Sequence, residues 1–290
     1  MSGSLTVLGP RRPILFRRLA GVSPVVVVAA IVLALVVLGA LLAPLIAPYD
    51  PDAVDLLNSY AGSSPAHWLG TDASGRDILS RLLYGARVSL AGPALVIVLS
   101  MSIGVGLAIA AAWFGGLVDS AISRVVEVLF AFPGLILAVV AVAIFGAGFW
   151  APVVALSIAF VPMVTRVLRS VALRERNLPY IAALQIQGVS TPRIALRHLL
   201  PNLMPMIIVQ AGIGFAYAML DLAAISYLGL GLQPPTSDWG VMVAEGQPSI
   251  IEGFPQQSLY ASMAVLLTVV SLNLVVGWLA ERFDVTGVHS

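Results

Sequence analysis

The chain contains no cysteine and no lysine, and only 10% of its 290 residues are charged. Without cysteine there is no disulfide, no thiolate metal site and no cysteine nucleophile. Without lysine there is no conventional P-loop, whose lysine reaches the β/γ-phosphates. Any ATP-driven work must therefore use a nucleotide bound to another polypeptide. The three histidines, His67, His198 and His289, are scattered, with no pair at metal-ligand spacing. No catalytic set and no metal site is expected on them. The net charge of +1 gives no footing for nucleic acid.

What the chain has instead is apolar length. Hydrophobic residues make up 59% of it, and a soluble domain would carry about 25% charged residues. Charge is absent from residues 19–49, 88–118, 128–165, 199–220 and 253–280. At 1.5 Å per residue, about 20 helical residues cross a hydrocarbon layer of about 30 Å. The run from Val128 to Thr165 is too long for one crossing and is broken at Phe145-Gly-Ala-Gly148, which predicts a hairpin of two helices. Six spans result, near 22–47, 88–113, 124–146, 150–170, 203–231 and 258–280. The first has basic residues before it like a signal peptide, but it is longer than the usual 7–15-residue apolar region and lacks a small-residue cleavage site. It is expected to be retained.

The arginines set an orientation. Arg11, Arg12, Arg17 and Arg18 precede the first span, and Arg166, Arg169, Arg174, Arg176, Arg193 and Arg197 lie between the fourth and fifth. The loop from Tyr227 to Ser258 has Asp238, Glu245 and Glu252 and no base. Positive residues stay inside, so both termini and the 166–202 loop are expected in the cytoplasm. Arg76, Arg81 and Arg87 in the first outer loop run against this, among Asp50, Asp52, Asp55, Asp72 and Asp77.

The expected organisation is an arm over 1–21, a first span over 22–47 and an outer loop over 48–87. A core of five helices follows over 88–280, interrupted by an inner loop at 171–202, with a tail over 281–290. Within the outer loop, Leu69 to Ser89 is amphipathic, with Ile78, Leu82 and Leu83 on one face, and predicts an interfacial helix capped by Ser74 or Thr71. Gln233-Pro-Pro235 and Trp239-Gly240 suggest a short re-entrant or interfacial element. Between Tyr180 and Asn202 the sequence YIAALQIQGVSTPRIALRHLLPN reads as a short amphipathic helix, a turn at Gly188, a second short helix and a stop at Pro201.

This last stretch resembles the coupling loop of bacterial ABC-importer permeases. HWLGTDASGRDILSRLLYGARVSL (67–90), FAFPG (130–134), LRSVALRERN (168–177), LGLGLQPPTSDWG (228–240) and LTVVSLNL (267–274) are similar, in order and spacing, to peptide and nickel permeases of that family. The resemblance implies an all-α, six-helix membrane subunit with a type-1 importer core and an extra amino-terminal span. It further implies a second, related permease, two cytoplasmic ATPase subunits carrying ATP and Mg, and an external substrate-binding protein, all at the bacterial inner membrane. Short peptides are the implied cargo, with nickel chelates or another small solute next. A proton-coupled secondary carrier, the rival class, should show several intramembrane acids or broken inverted repeats; only one acid is present and no repeat is apparent.

The resemblance also assigns roles. Tyr180, Ile181, Ala183, Leu184, Gly188, Arg193, Arg197 and Pro201 would make the coupling site, with Tyr180, Ile181, Leu184, Ile186 and Val189 filling a groove on the ATPase. Arg193 and Arg197, one turn apart, would meet acids there; the alternative is an interfacial helix held to anionic membrane lipid. The family's loop usually begins Glu-Ala-Ala with a glycine six residues after the acid; here the triplet is Ala182-Ala183-Leu184 with Gly188 in register, so the acid is missing. Asp221 in the fifth span either lines the pathway or is hydrogen-bonded between helices to Asn273, Tyr217 or Gln210. Asp72, Arg76 and Asp77 are candidates for docking the binding protein.

Overall fold

The computed structural model describes residues 22–283. The amino-terminal arm with Arg11, Arg12, Arg17 and Arg18, and the tail beyond 283 with His289, lie outside the described residues. Within them the chain is helical, with no strand and one isolated bridge, Thr71 to Asp77. The helices are α1 (Pro24–Ile46), α2 (Ile78–Phe114), α3 (Gly116–Phe130), α4 (Gly134–Phe145), α5 (Trp150–Arg176), α6 (Pro179–Ile186), α7 (Thr191–Ile194), α8 (Leu200–Tyr227), α9 (Trp239–Ile251) and α10 (Gln256–Arg282). Five helices or helix runs are long and apolar enough to cross a membrane, and the bent pair α3–α4 makes up to six.

Three elements differ from the sequence expectation. The third span is two helices meeting at 78° rather than one rod over 124–146. Pro133 has no N–H to continue α3, and the residue before a proline avoids the helical region; the chain therefore breaks within Phe130–Gly134. The interfacial helix expected over 69–89 does not stand apart from the second span. Its helix begins only at Ile78 and runs without a break to Phe114, about 55 Å at 1.5 Å per residue. Asp77 caps it in place of Ser74 or Thr71, accepting from the Ser80 N–H at 2.8 Å, while Gly75 at φ 75° keeps the preceding turn out of the helix. The stop expected at Pro201 is a start: Pro201 lies in the first turn of α8. The five residues before it, Ala195–Leu199, form a π-helical turn in which the Leu200 N–H reaches back to the Ala195 carbonyl. The wider π turn gives the proline ring room where an α-turn would press it onto the carbonyl four residues back.

The bundle is held by small residues. The longest packed interface is between α2 and α5, where Gly104, Ala108, Ala111 and Ala112 let the backbones approach. A Cβ on Gly104 would stand 2.5 Å from Val164 Cγ1. Gly104→Leu should therefore force the helices apart and lower the thermal midpoint of the detergent-purified protein, since overpacking costs about 1–3 kcal/mol or more. An unchanged midpoint would refute this packing. A main core joins α2, α4, α5 and α8 through Val96, Ala138, Leu156 and Ala218. The peripheral α1 lies on α2 and α10, its inner face reduced to Ala29, Ala40 and Ala43.

Candidate functional site: the arginine-rich loop and a buried ion cluster

At one end of the bundle, α6 and α7 form the expected helix–turn–helix. The Gly188 N–H bonds to Gln185 O and the Val189 N–H to Leu184 O, the paired bonds that close a helix on a left-handed residue. Gly188 sits at φ 74°, where a side chain is strained. Leu184 and Val189 pack together beside this turn on Trp113, Ile181 and Ile194. Trp113 is the penultimate residue of α2, so the loop is mounted on the end of that helix. Arg176 reinforces the mount: it donates to Ala112 O at 2.7 Å and its guanidinium lies 5.8 Å from the Trp113 ring.

Within the chain Ile181 is buried and Leu184 and Val189 are half-buried in this cluster, so Ile181 anchors the loop while Leu184 and Val189 keep part of their surface outside it. The exposed face carries Ala182, Ala183, Ile186, Arg193, Leu196 and Arg197, with Ile186 87% exposed. Neither Arg193 nor Arg197 has an ion-pair partner among the described residues. Tyr180 is exposed at the loop's start, where its hydroxyl donates to Glu175 at 2.6 Å. Asn202, at the far end of the loop, donates to the same carboxylate at 2.6 Å, tying α5 to α8. Partial burial and then the Glu175 carboxylate push the Tyr180 phenol up to about 12, so it stays a neutral donor at any physiological pH. Trp113, Arg176, Glu175 and Asn202 were not singled out from sequence for this site, since they come from three separate helices, α2, α5 and α8, and nothing local relates those helices.

At the opposite end, the expected docking residues are turned inward. Asp72 and Asp77 are each 2% exposed and Arg81 is fully buried. Asp72 accepts from Arg76 Nε and from Arg81 Nη1, both at 2.7 Å. Arg81 Nη2 continues to Glu245 at 2.7 Å and Arg76 Nη2 to the same carboxylate at 3.3 Å. Two arginines and two carboxylates thus balance. Gln257 of α10 adds a bond to Glu245 at 3.3 Å. Burial lowers the Arg76 guanidinium, but Asp72 and Glu245 more than reverse this and hold it above its ordinary value. Asp77 caps α2 and holds His67 Nδ1 at 3.0 Å. Asp72, Arg76 and Asp77 therefore bind the long loop to α2 and α9, and their side chains are largely withdrawn from the surface.

Within the span region Asp221 is half-buried and Asn273 exposed. Asp221 makes no side-chain hydrogen bond to Asn273, Tyr217 or Gln210.

A bundle of membrane-length helices with a rigid, outward-facing helix–turn–helix at one end defines a membrane transport subunit of the permease class. The chain belongs to the family described as binding-protein-dependent transport system inner membrane component, whose model matches residues 100–285. Residues 22–62 match the N-terminal TM domain of oligopeptide transport permease C. Relatives include the glutathione transport system permease protein GsiD of Pectobacterium atrosepticum, 37% identical over 90% of this chain and 86% of that protein. The di/tripeptide transport system permease protein DppC of Pseudomonas aeruginosa is 38% identical over 86% and 84%. The dipeptide permease DppC of Alkalihalophilus pseudofirmus is 34% identical over 89% and 84%. Among solved structures, an inward-facing MetNI methionine ABC transporter matches with TM-score 0.51 at 20% identity, over 71% of this chain and 95% of that one. The all-α permease fold implied by the sequence blocks holds, and the chain is a permease subunit rather than an ATPase.

Proposed function

We propose that this chain is one of two related permease subunits of an ATP-driven importer in the bacterial inner membrane, and that it forms half of a pathway for short peptides. Both termini and the α6–α7 loop face the cytoplasm in this reading, which the excess of arginines before the first span and between the fourth and fifth supports. Two ATPase subunits bind ATP and Mg there, and a binding protein delivers solute on the other side. The peptide assignment is supported by relatives named for glutathione, dipeptides and di/tripeptides.

The observation that carries the reading is the mounting of the α6–α7 loop. Its apolar inner side is spent on Trp113 at the end of α2, while Ile186, Leu196, Arg193 and Arg197 face outward. A push on that face moves the end of a 37-residue helix. The ATPase groove that receives it should be apolar with acidic residues, since the loop itself has no acid from Pro179 to Leu199.

Proteoliposomes containing this chain, its companion permease, the two ATPases and the binding protein test the proposal. ATP-dependent uptake of a labelled dipeptide is expected. Ile186→Asp should lower uptake about 10–100-fold, because burying an isoleucine is worth about 1.5–3 kcal/mol, while leaving the fold intact at so exposed a position. Uptake that needs no ATPase subunit, or that ignores Ile186→Asp, would refute coupling through this loop.

A further inference from the structure

With Asp72, Arg76 and Asp77 buried, docking at the end opposite the coupling loop needs another surface, and two segments there expose large aliphatic side chains to an unusual degree. Leu57, in the short 3-10 turn Leu56–Asn58, is 97% exposed, and Ile251, the last residue of α9, is 91% exposed. Leu56 and Val54 are exposed beside Leu57. None of these lies in a membrane-length helix. Exposed aliphatics gathered on neighbouring segments mark a contact surface.

The two segments are fastened to each other. The Tyr60 ring stacks on Phe254 with centroids 4.3 Å apart. Its hydroxyl lies 3.0 Å from Ser249 Oγ and donates to Glu252 at 2.9 Å. Tyr60 holds φ 54°, a left-handed conformation that is rare for a bulky residue and that collects at functional sites. Asp55 accepts from the Leu57 N–H at 3.2 Å and so fixes the turn presenting that side chain. A prearranged surface of this kind loses little entropy on binding.

The charge around the patch selects the partner. Asp50, Asp52, Asp55 and Glu252 are exposed. In residues 47–77 and 228–255 the one arginine, Arg76, is buried and the one histidine, His67, is half-buried; the exposed base at this end is Arg87, which lines a pocket with Asp52, against four exposed acids. An acidic rim repels an anionic lipid surface and attracts a protein with basic residues around an apolar spot. The family is defined by dependence on a binding protein.

We infer that Leu57 and Ile251, ringed by Asp50, Asp52, Asp55 and Glu252, form the surface on which the extracytoplasmic binding protein docks, through an apolar spot flanked by basic residues. The inference rests on the importer reading above.

The natural absence of cysteine makes Leu57→Cys a unique attachment point on this chain for a thiol-linked photo-crosslinker. In the reconstituted complex the expected crosslink is to the binding protein. In the Leu57→Glu/Ile251→Glu double variant, the binding-protein concentration giving half-maximal ATPase stimulation should rise at least tenfold. Raising ionic strength should shift the wild-type complex in the same direction. A crosslink confined to lipid or to the companion permease would overturn the inference, and so would an unchanged half-maximal concentration. Loss of the companion permease on co-purification of the double variant would also overturn it, assigning the patch to the permease pair. If the wild-type complex transports but its ATPase ignores the binding protein, docking at this patch fails while the importer reading stands. If the wild-type complex neither transports nor assembles with an ATPase, it is the importer reading that fails.

Discussion

Arg81→Met should destabilise the folded subunit by about 3–5 kcal/mol, the usual result of leaving a buried charge cluster short of one partner. Arg81 is fully buried and bridges Asp72 in the long loop to Glu245 in α9. Its loss leaves two carboxylates facing Arg76 alone, in a region from which water is largely excluded. Thermal unfolding of the detergent-purified subunit, read by aggregation or tryptophan fluorescence, should show a much lower midpoint. Glu245→Met should do comparable damage by leaving Arg81 unbalanced. The double variant Arg81→Met/Glu245→Met should be milder than either single change. It keeps the Asp72–Arg76 pair neutral and replaces the other pair with apolar volume, an exchange that is often nearly neutral. The double-mutant cycle isolates this coupling. Singles that melt with the wild type, or effects that simply add, would show that the cluster does not hold the loop.

That cluster also marks where sequence reading reached its limit. The apolar runs made the spans legible because length and the absence of charge are local properties. Gly188 was legible for the same reason: a turn residue in register between two short amphipathic stretches. The environment of Arg76 and Arg81 was not. The amphipathic pattern that sets Ile78, Leu82 and Leu83 on one face leaves both arginines largely on the other, and a polar face ordinarily meets water. Here it meets Glu245, 164 residues after Arg81, and nothing in either segment announces the other. The internal packing of the α6–α7 loop was hidden by the same mechanism. Its apolar residues were visible, but whether Ile181 faces a partner or its own chain depends on Trp113, in a helix that ends 67 positions earlier. Pro201 was read as a terminator because sequence rules assume α-geometry, and a π turn lifts that restriction.

Gly188→Pro should abolish transport, and comparison with Gly188→Ala identifies the cause. Proline fixes φ near −65°, whereas this position holds +74°. Proline also removes the N–H that bonds to Gln185 O. The turn cannot form, and Leu184 and Val189 cannot close together on Trp113. Alanine meets a different obstacle. A Cβ at Gly188 finds no atom within 4 Å, so only the left-handed backbone opposes it, at about 1–2 kcal/mol. Gly188→Ala should therefore keep the loop and lose less than about 30-fold in dipeptide uptake. Gly188→Pro should take uptake below detection, with α2, α5 and α8 still packed because their interfaces lie away from the turn. The informative readout is the ratio of dipeptide imported to ATP hydrolysed. A general folding defect lowers both together, whereas a broken coupling loop lowers the ratio. Equal losses in Gly188→Ala and Gly188→Pro would mean that the glycine fills space; the empty surroundings of its Cβ position argue that it sets a turn.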